Sequence, residues 1–334
     1  MKWTLSSGIL DFGSRAQVMG ILNVTPDSFY DRYGSVNAAV ERGLEMVQEG
    51  ADILDVGGES SRPPMYGEAV EVSCEEECLR VLPVIKKLRE QTAVPISIDT
   101  VKSDVACRAL EAGADIINDI SAMADDGMAE VAAKSEAPLI LMHRRGTPAT
   151  MQDSTDYVDL IGEVCSFLEE RIERARKAGV GQWGVDPGLG FSKTIEGNFL
   201  LLKHMQRFAN LDCPLLVGAS RKSFIWKTLG LTAEEALEGS LALAVLSRAA
   251  GAHVEEVRDV ARQLLHVAVG EEILDRRVDR VRLDHGRGDL VDALVHSGVA
   301  GSQLILQSRV RSVHICRARV CALVHLLGQP LNAL

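Results

Sequence analysis

Residues 94–120 read VPISIDTVKSDVACRALEAGADIINDI. Two short apolar runs, VPISID (94–99) and ADIINDI (114–120), flank a helix-like stretch, and the glycine of EAGAD stands where a helix C-cap is expected before the next strand. Strands that read as near-continuous hydrophobes belong to a parallel sheet covered on its outer face. Each run closes on polar residues, Asp99-Thr100 in the first and Asn118-Asp119 in the second.

The same unit recurs along the chain. Further candidate strands are VMGILNV (18–24), DILDV (52–56), PLILMH (138–143), WGVDPG (183–188), PLLVGAS (214–220) and HVEEVRDV (253–260). Between them VNAAVERGLEMVQEG, CEEECLRVLPVIKKLREQ and YVDLIGEVCSFLEERIERARKAG repeat apolar residues at helical intervals, and QEGAD and KAGVG repeat the glycine punctuation. Eight β/α units over about 260 residues predict an α/β fold, a (β/α)8 TIM barrel spanning residues 1–275. An open doubly wound sheet is the lesser reading, because no GxGxxG follows any strand. Beyond residue 275 the character changes, and no lysine follows Lys227. Residues 276–334 are expected to form a short C-terminal extension outside the domain that carries the chemistry. Its HICRARVCALVH (314–325) gathers His and Cys at a spacing that matches no common structural zinc pattern, so a loosely packed extension or a partner-binding helix is the preferred reading.

Composition narrows the function. With 46% hydrophobic residues, the 334-residue chain can bury a large core, and 4% aromatics make that core one of Val, Ile, Leu and Ala. A net charge of −11 argues against nucleic-acid binding, which needs basic surface. No apolar run approaches the ~18–20 residues needed to span a bilayer, and MKWTLSSGIL is too short and polar for a signal peptide. Seven scattered cysteines (74, 78, 107, 165, 213, 316 and 321) read as reduced thiols of a cytoplasmic protein, with Cys107, Cys165 and Cys213 as small buried hydrophobes.

In such a barrel the polar groups at the C-terminal ends of the strands line the site. Here they are Asn23; Ser61 and Arg62 in GGESSRPP; Asp99; Asn118 and Asp119; His143 and Arg144; Asp186 ahead of GLGFSKT; Arg221, Lys222 and Ser223 in GASRKS; and Glu256, Arg258 and Asp259. One such carboxylate is as often a structural group bonded to loop amides as a ligand. A full circle of them points to a bound polar molecule, since buried polar groups must be satisfied. Asp99, Asn118 and Asp186 suit a flat heterocycle with adjacent N–H groups, and Lys222 suits ring acceptors. Asn23, Ser61, Arg62 and Arg221 suit an anion and a hard cation, which prefers oxygen ligands.

GILNVTPDSF, DVGGESSRP, ISIDT, IINDI, LMH-x-RGTP, DPGLGF-x-KT and VGASRKSF, in order from about residue 15 to 275, together resemble the bacterial dihydropteroate synthase family. The resemblance implies the barrel fold and a transferase of folate biosynthesis. That reaction joins 6-hydroxymethyl-7,8-dihydropterin diphosphate to p-aminobenzoate, with release of pyrophosphate. By the same resemblance Asp99, Asn118, Asp186 and Lys222 hold the pterin, with Asp99 and Lys222 the catalytic pair. Met142 and Phe191 pack near the ring, and Asn23 contacts the Mg²⁺ that accompanies the diphosphate. Ser61, Arg62, Pro63 and Ser223 border the aminobenzoate, Phe29 helps to close its pocket, and a homodimer is plausible. Two other readings keep the pterin pocket: a paralogue that binds without synthesis, and a methyltransferase working from methyltetrahydrofolate to a corrinoid. The retained SRK and GGES-S-RP stretches speak against the latter.

The chain departs from the family pattern at three places. Tyr30-Asp31-Arg32-Tyr33 replaces Ser-Asp-Gly-Gly in the first loop, and Ser61 replaces a threonine. In the last strand Glu256-Val257-Arg258-Asp259-Val260 stands for Arg-Val-His-Asp-Val, and the family's arginine there helps bind the diphosphate. Positions 256 and 258 share a strand face. A glutamate about 4 Å from a phosphate charge costs roughly 4 kcal/mol at an effective dielectric of 20. Two compensations stay open: Arg258 binds the diphosphate from the neighbouring inward slot, or it pairs with Glu256.

Overall fold

The computed structural model describes residues 1–13, 15–25, 36–60 and 72–260. The expectations for Phe29, the Tyr30–Tyr33 loop, Ser61, Arg62, Pro63, the domain boundary at 275 and the extension at 276–334 lie outside them.

The chain opens with a hairpin, β1 (Lys2–Leu5) and β2 (Gly8–Asp11), paired antiparallel. Eight units then alternate. Strand β3 (Gln17–Asn23) leads to α1 (Val36–Gln48), β4 (Ile53–Gly57) to α2 (Cys74–Arg89), β5 (Ile96–Asp99) to α3 (Ser103–Glu111), and β6 (Ile116–Asp119) to α4 (Met128–Ser135). Next come β7 (Leu139–Met142) with α5 (Leu160–Lys177), and β8 (Trp183–Asp186) with α6 (Ile195–Lys203) and α7 (Met205–Ala209). Last are β9 (Leu216–Val217), α8 (Ser223–Leu229), α9 (Leu237–Ala249) and β10 (Val254–Val257). The sheet is parallel in the order β8-β7-β6-β5-β4-β3-β10-β9, and a parallel bridge between Val185 and Leu215 joins its two ends. Eight parallel strands closed in this way form the (β/α)8 barrel that the repeating unit predicts.

Local chemistry explains the elements. Ser73, Asp159 and Thr194 cap α2, α5 and α6, each side chain accepting a backbone N–H of the first turn. Gly50, Gly113 and Gly179, the punctuation of QEGAD, EAGAD and KAGVG, all take positive φ where a helix gives way to the next strand. The strands found are shorter than the apolar runs: β9 keeps only Leu216–Val217 of 214–220, and β10 only Val254–Val257 of 253–260. Leu215 still bridges Val185, while from Gly218 and from Arg258 onward the chain has left the ladder.

Each strand of the barrel is buried on both faces. Val18, Leu22, Leu54, Val56, Ile98, Ile117, Leu141 and Val185 face the helices in one core. A second core, inside the barrel, joins Met19, Ile53, Ile116, Ile140, Leu216 and Val254 to Trp3, Leu5, Leu10 and Phe12 of the hairpin. Trp3 and Phe12 meet edge to face, with centroids 5.0 Å apart. They stopper the N-terminal end, which leaves the opposite end for a ligand. Asp115 ties this stopper to the barrel through Arg89 at 2.5 Å and the Ser7 amide at 3.0 Å. Of the cysteines expected to be buried hydrophobes, Cys165 and Cys213 are buried, while Cys107 is half-buried; all five described cysteines are free thiols. Among the described residues no helix is long and apolar enough to cross a membrane.

Candidate active site

Two residues beyond Ile53, Ile116, Gly184 and Val254 stand Asp55, Asn118, Asp186 and Glu256. A step of two keeps a side chain on the same strand face, so alternate strands β4, β6, β8 and β10 each turn from apolar to polar inside the barrel. A layer of four side chains from alternate strands is how such barrels fill their interior. Above this layer lies a cavity of about 680 Å³. Its lining includes Asn23, Asp99, Asn118, Met142, Asp186, Phe191, Arg221, Lys222, Ser223, Glu256 and Arg258. Every described residue expected to hold a substrate or the metal therefore reaches one cavity.

Asp186 is locked in place. Its Oδ1 accepts the Gly188 amide at 2.7 Å, and its carbonyl accepts the His143 amide at 2.9 Å. Burial, opposed mainly by that amide, pushes its carboxyl up to about 7. Asn118 donates to Asp55 Oδ2 at 3.3 Å, which orients its amide. Asp99 is held well above the usual carboxylate range by burial and then by Asp55 and Glu256. Lys222 is the neighbouring cation: burial lowers its pKa, against Glu256 and Asp186, which raise it. Its Nζ lies 4.4 Å from the centroid of Phe191, and its stem packs on Gly190. Met142 and Phe191 pack with Ile120 and Met151 into an apolar wall beside these polar groups.

Toward the mouth, Asn23 ends β3 and Thr25 follows it, and Arg221 and Arg258 stand beyond the β9 and β10 ends. Arg221 is already committed, with Nε donating to Asp259 Oδ2 at 2.9 Å. The Arg258 amide donates to Ser220 Oγ at 3.2 Å. Glu256 Oε2 occupies the space beside Gly218, 2.5 Å from where a Cβ would stand. Glu256 on β10 and Arg258 just beyond it thus both face the cavity, the first acidic and the second basic.

Three of the polar strand ends do not line the cavity. Asp119 accepts from the Ser121 hydroxyl and amide and from the Met123 amide, at 2.6–2.8 Å, and holds its own loop. Arg144 lies near Asp119, Asp99 and Glu59 but does not reach the cavity lining. His143 is buried against Lys193, whose Nζ also contacts the carbonyls of His143 at 3.1 Å and Gly188 at 2.9 Å. Burial, then Lys193, drives the His143 pKa down to about 2, and burial drives that of Lys193 down to about 7. The set is satisfied in both charge states of Lys193. As an ammonium it donates three times; as an amine it donates to the two carbonyls and accepts the His143 Nδ1 proton. Gly188 is required here, because a Cβ would collide with the His143 carbonyl.

Sequence reasoning missed Asp55, which does not end its strand, and Arg42, which reaches the cavity from α1 while paired to Glu49 at 3.1 Å. The signal for Asp55 was its place two residues beyond Ile53, on the inward face.

Residues 19–258 match the pterin binding enzyme family. The chain belongs to this family. It is 47% identical to the dihydropteroate synthase of Synechocystis sp. over 75% of this chain and 88% of that one. A Xanthomonas albilineans dihydropteroate synthase structure with 4-aminobenzoic acid superposes with a TM-score of 0.76 at 40% identity, covering 81% of this chain and 97% of that one. Another, in complex with 7,8-dihydropteroate, gives a TM-score of 0.74 at 38% identity over 82% and 98% of the two chains.

Proposed function

We propose that this chain condenses 6-hydroxymethyl-7,8-dihydropterin diphosphate with p-aminobenzoate to give 7,8-dihydropteroate and pyrophosphate. The observation that carries the reading is the convergence of Asp99, Asn118, Asp186 and Lys222 on one barrel mouth, beside an apolar wall sized for a flat ring. The likeness to dihydropteroate synthases over most of both chains supports the same reaction.

The pterin edge, rich in N–H donors, is held by Asn118 and Asp186 against Met142 and Phe191, while Lys222 donates to ring acceptors. The carbon–oxygen bond to the diphosphate breaks with its electron pair leaving on oxygen, and the electron-rich ring carries the positive charge. Asp99 lies close to other carboxyls that oppose its ionisation. A cation arriving beside it reverses that penalty, so the anionic carboxylate stabilises the transition state more than the ground state. The aminobenzoate amine then forms the new carbon–nitrogen bond and loses a proton. Ser223 borders that second substrate.

The donors near the leaving group fit Mg²⁺. Asn23 offers a neutral amide oxygen at the mouth, and no group of three or more His, Cys, Asp or Glu forms a metal cage among the described residues. A magnesium ion carried mainly by phosphate oxygens and water needs only such a contact; bound there, it would neutralise charge on the departing diphosphate. Arg258 is the cation on the same rim. The reading includes a cytoplasmic homodimer, for which sedimentation velocity is the check.

The test is turnover by purified protein with Mg²⁺ and both substrates, followed as dihydropteroate. Pterin binding without product would move the chain to a binding paralogue.

A further inference from the structure

The cationic side chains that line the cavity are Arg42, Arg221, Lys222 and Arg258. Arg42 is held by Glu49 at 3.1 Å, and Lys222 belongs to the ring pocket, its Nζ 4.4 Å from the Phe191 centroid. Arg221 and Arg258 are therefore the pair placed to meet a multiply charged anion, above a floor that carries Asp99, Asp186 and Glu256.

The two arginines stand on neighbouring loops that are tied across. The Arg258 amide donates to Ser220 Oγ at 3.2 Å, and Arg221 Nε donates to Asp259 Oδ2 at 2.9 Å. Nη2 of Arg221 lies 2.9 Å from the same oxygen, and Nη1 donates to the Glu234 carbonyl at 3.3 Å. The backbone is fixed as well. Arg221 has a φ of 53°, a left-handed conformation that a residue with a Cβ adopts at a cost. Its amide donates to Ser240 Oγ of α9 at 2.8 Å, and the buried Ser240 donates in turn to the Ala236 carbonyl at 2.9 Å. A guanidinium has five N–H groups, so at least one on each terminal nitrogen keeps no acceptor among the described residues. Two such groups form the fork that grips a phosphate. The Arg221 and Asp259 side chains are 25% and 33% exposed, where an ion pair adds little to stability. The worth of the pair then lies in where it points the guanidinium.

We propose that Asp259 is a positioning residue for the leaving group: it aims Arg221 at the diphosphate of the pterin substrate, whose oxygens Arg221 and Arg258 take together. The proposal rests on the function proposed above. Asp259 acts through Arg221, and Ser240 supports it by holding the Arg221 backbone. The aminobenzoate carboxylate carries a single charge and needs one cationic partner, whereas a diphosphate carries several and uses both.

The experiment is calorimetric titration of the full chain, with Mg²⁺, by the pterin diphosphate. Asp259→Ala removes both the acceptor and the charge. Asp259→Asn removes the charge but leaves an amide oxygen to accept from Arg221. For a positioning residue, Asp259→Ala should lower affinity about tenfold, while Asp259→Asn stays within about threefold of wild type. A carboxylate acting only through its charge predicts the opposite, tighter binding by both variants, since each makes the rim more positive. Arg221→Met should lower affinity about ten- to a hundredfold, and in that background Asp259→Ala should lower it no further. KM for p-aminobenzoate should stay within about twofold in Asp259→Ala. If circular dichroism shows that the alanine variant does not fold, Asp259→Ser takes its place with the same expectation. Alanine and asparagine variants that bind alike, a fall that persists beside Arg221→Met, or an effect confined to the aminobenzoate KM overturns the proposal. If wild type binds no pterin, the proposed function falls instead, and pyrophosphate with Mg²⁺ becomes the probe. Wild type and Asp259→Asn binding it more tightly than Asp259→Ala sustains the positioning role; no pyrophosphate binding by wild type overturns it.

Discussion

Replacing Lys193 by methionine tests how the catalytic floor is held. The Nζ lies 2.9 Å from His143 Nδ1, 3.1 Å from the His143 carbonyl and 2.9 Å from the Gly188 carbonyl, all buried. It therefore joins the loops that follow β7 and β8. Methionine keeps the length of the chain but leaves two buried carbonyls without a donor, at about 1–3 kcal/mol each. Removing a buried amine returns part of that, so the expected net loss is about 2–3 kcal/mol, or roughly 5–10 °C in Tm for a domain of this size. The effect should reach the site, because the Gly188 amide donates to Asp186 Oδ1 and the His143 amide to its carbonyl. A loosened Asp186 raises KM for the pterin diphosphate more than it lowers kcat, and Lys193→Arg should restore less than full function because its planar fork does not match the three acceptors. Linkage adds a pH signature. The Lys193 pKa falls to about 7 in the folded chain, below its unfolded value, so the unfolded state binds more protons above pH 7 and wild-type stability rises from there toward the unfolded pKa. The Lys193→Met difference from wild type should therefore widen with rising pH in urea titrations. A variant within 2 °C of wild type by the roughly 2–4 °C per kcal/mol scale, with unchanged KM, would refute the tie.

Asp186→Asn keeps the size but places an amide where the ring's N–H edge needs an acceptor; pterin affinity measured by calorimetry should fall about ten- to a hundredfold, on the order of 1.5–3 kcal/mol. Exchanging the two cavity-facing residues at the end of β10 toward the family pattern, Glu256→Arg with Arg258→His, should tighten diphosphate binding measured by calorimetry, by the charge argument. An affinity unchanged from wild type would remove the repulsion from the account. Trp3→Ala opens the stopper at the N-terminal end and should cost about 3–5 kcal/mol by chemical denaturation. Its effect on KM should be small, since the cavity lies at the other end of the barrel.

What the sequence determined by itself is the repeating unit and its polar ends. Near-continuous apolar strands, amphipathic helices and the glycines that end α1, α3 and α5 are local properties, and local chemistry decides them. The side chains of Asp99, Asn118 and Asp186 were legible because they end strands, where a barrel gathers its loops. The sequence could not show that Asp119 turns away to hold its own loop while Asn118 turns in, since adjacent strand residues take opposite faces and register sets which one is inward. Nor could it show that MKWTL and GILDF, weak as local signals, pair into the hairpin that stoppers the barrel; Trp3 and Phe12 find partners only once Ile116, Ile140 and Val254 are brought together. His143, read as a strand-end site residue, is committed to Lys193, a contact across 50 positions that no spacing rule encodes.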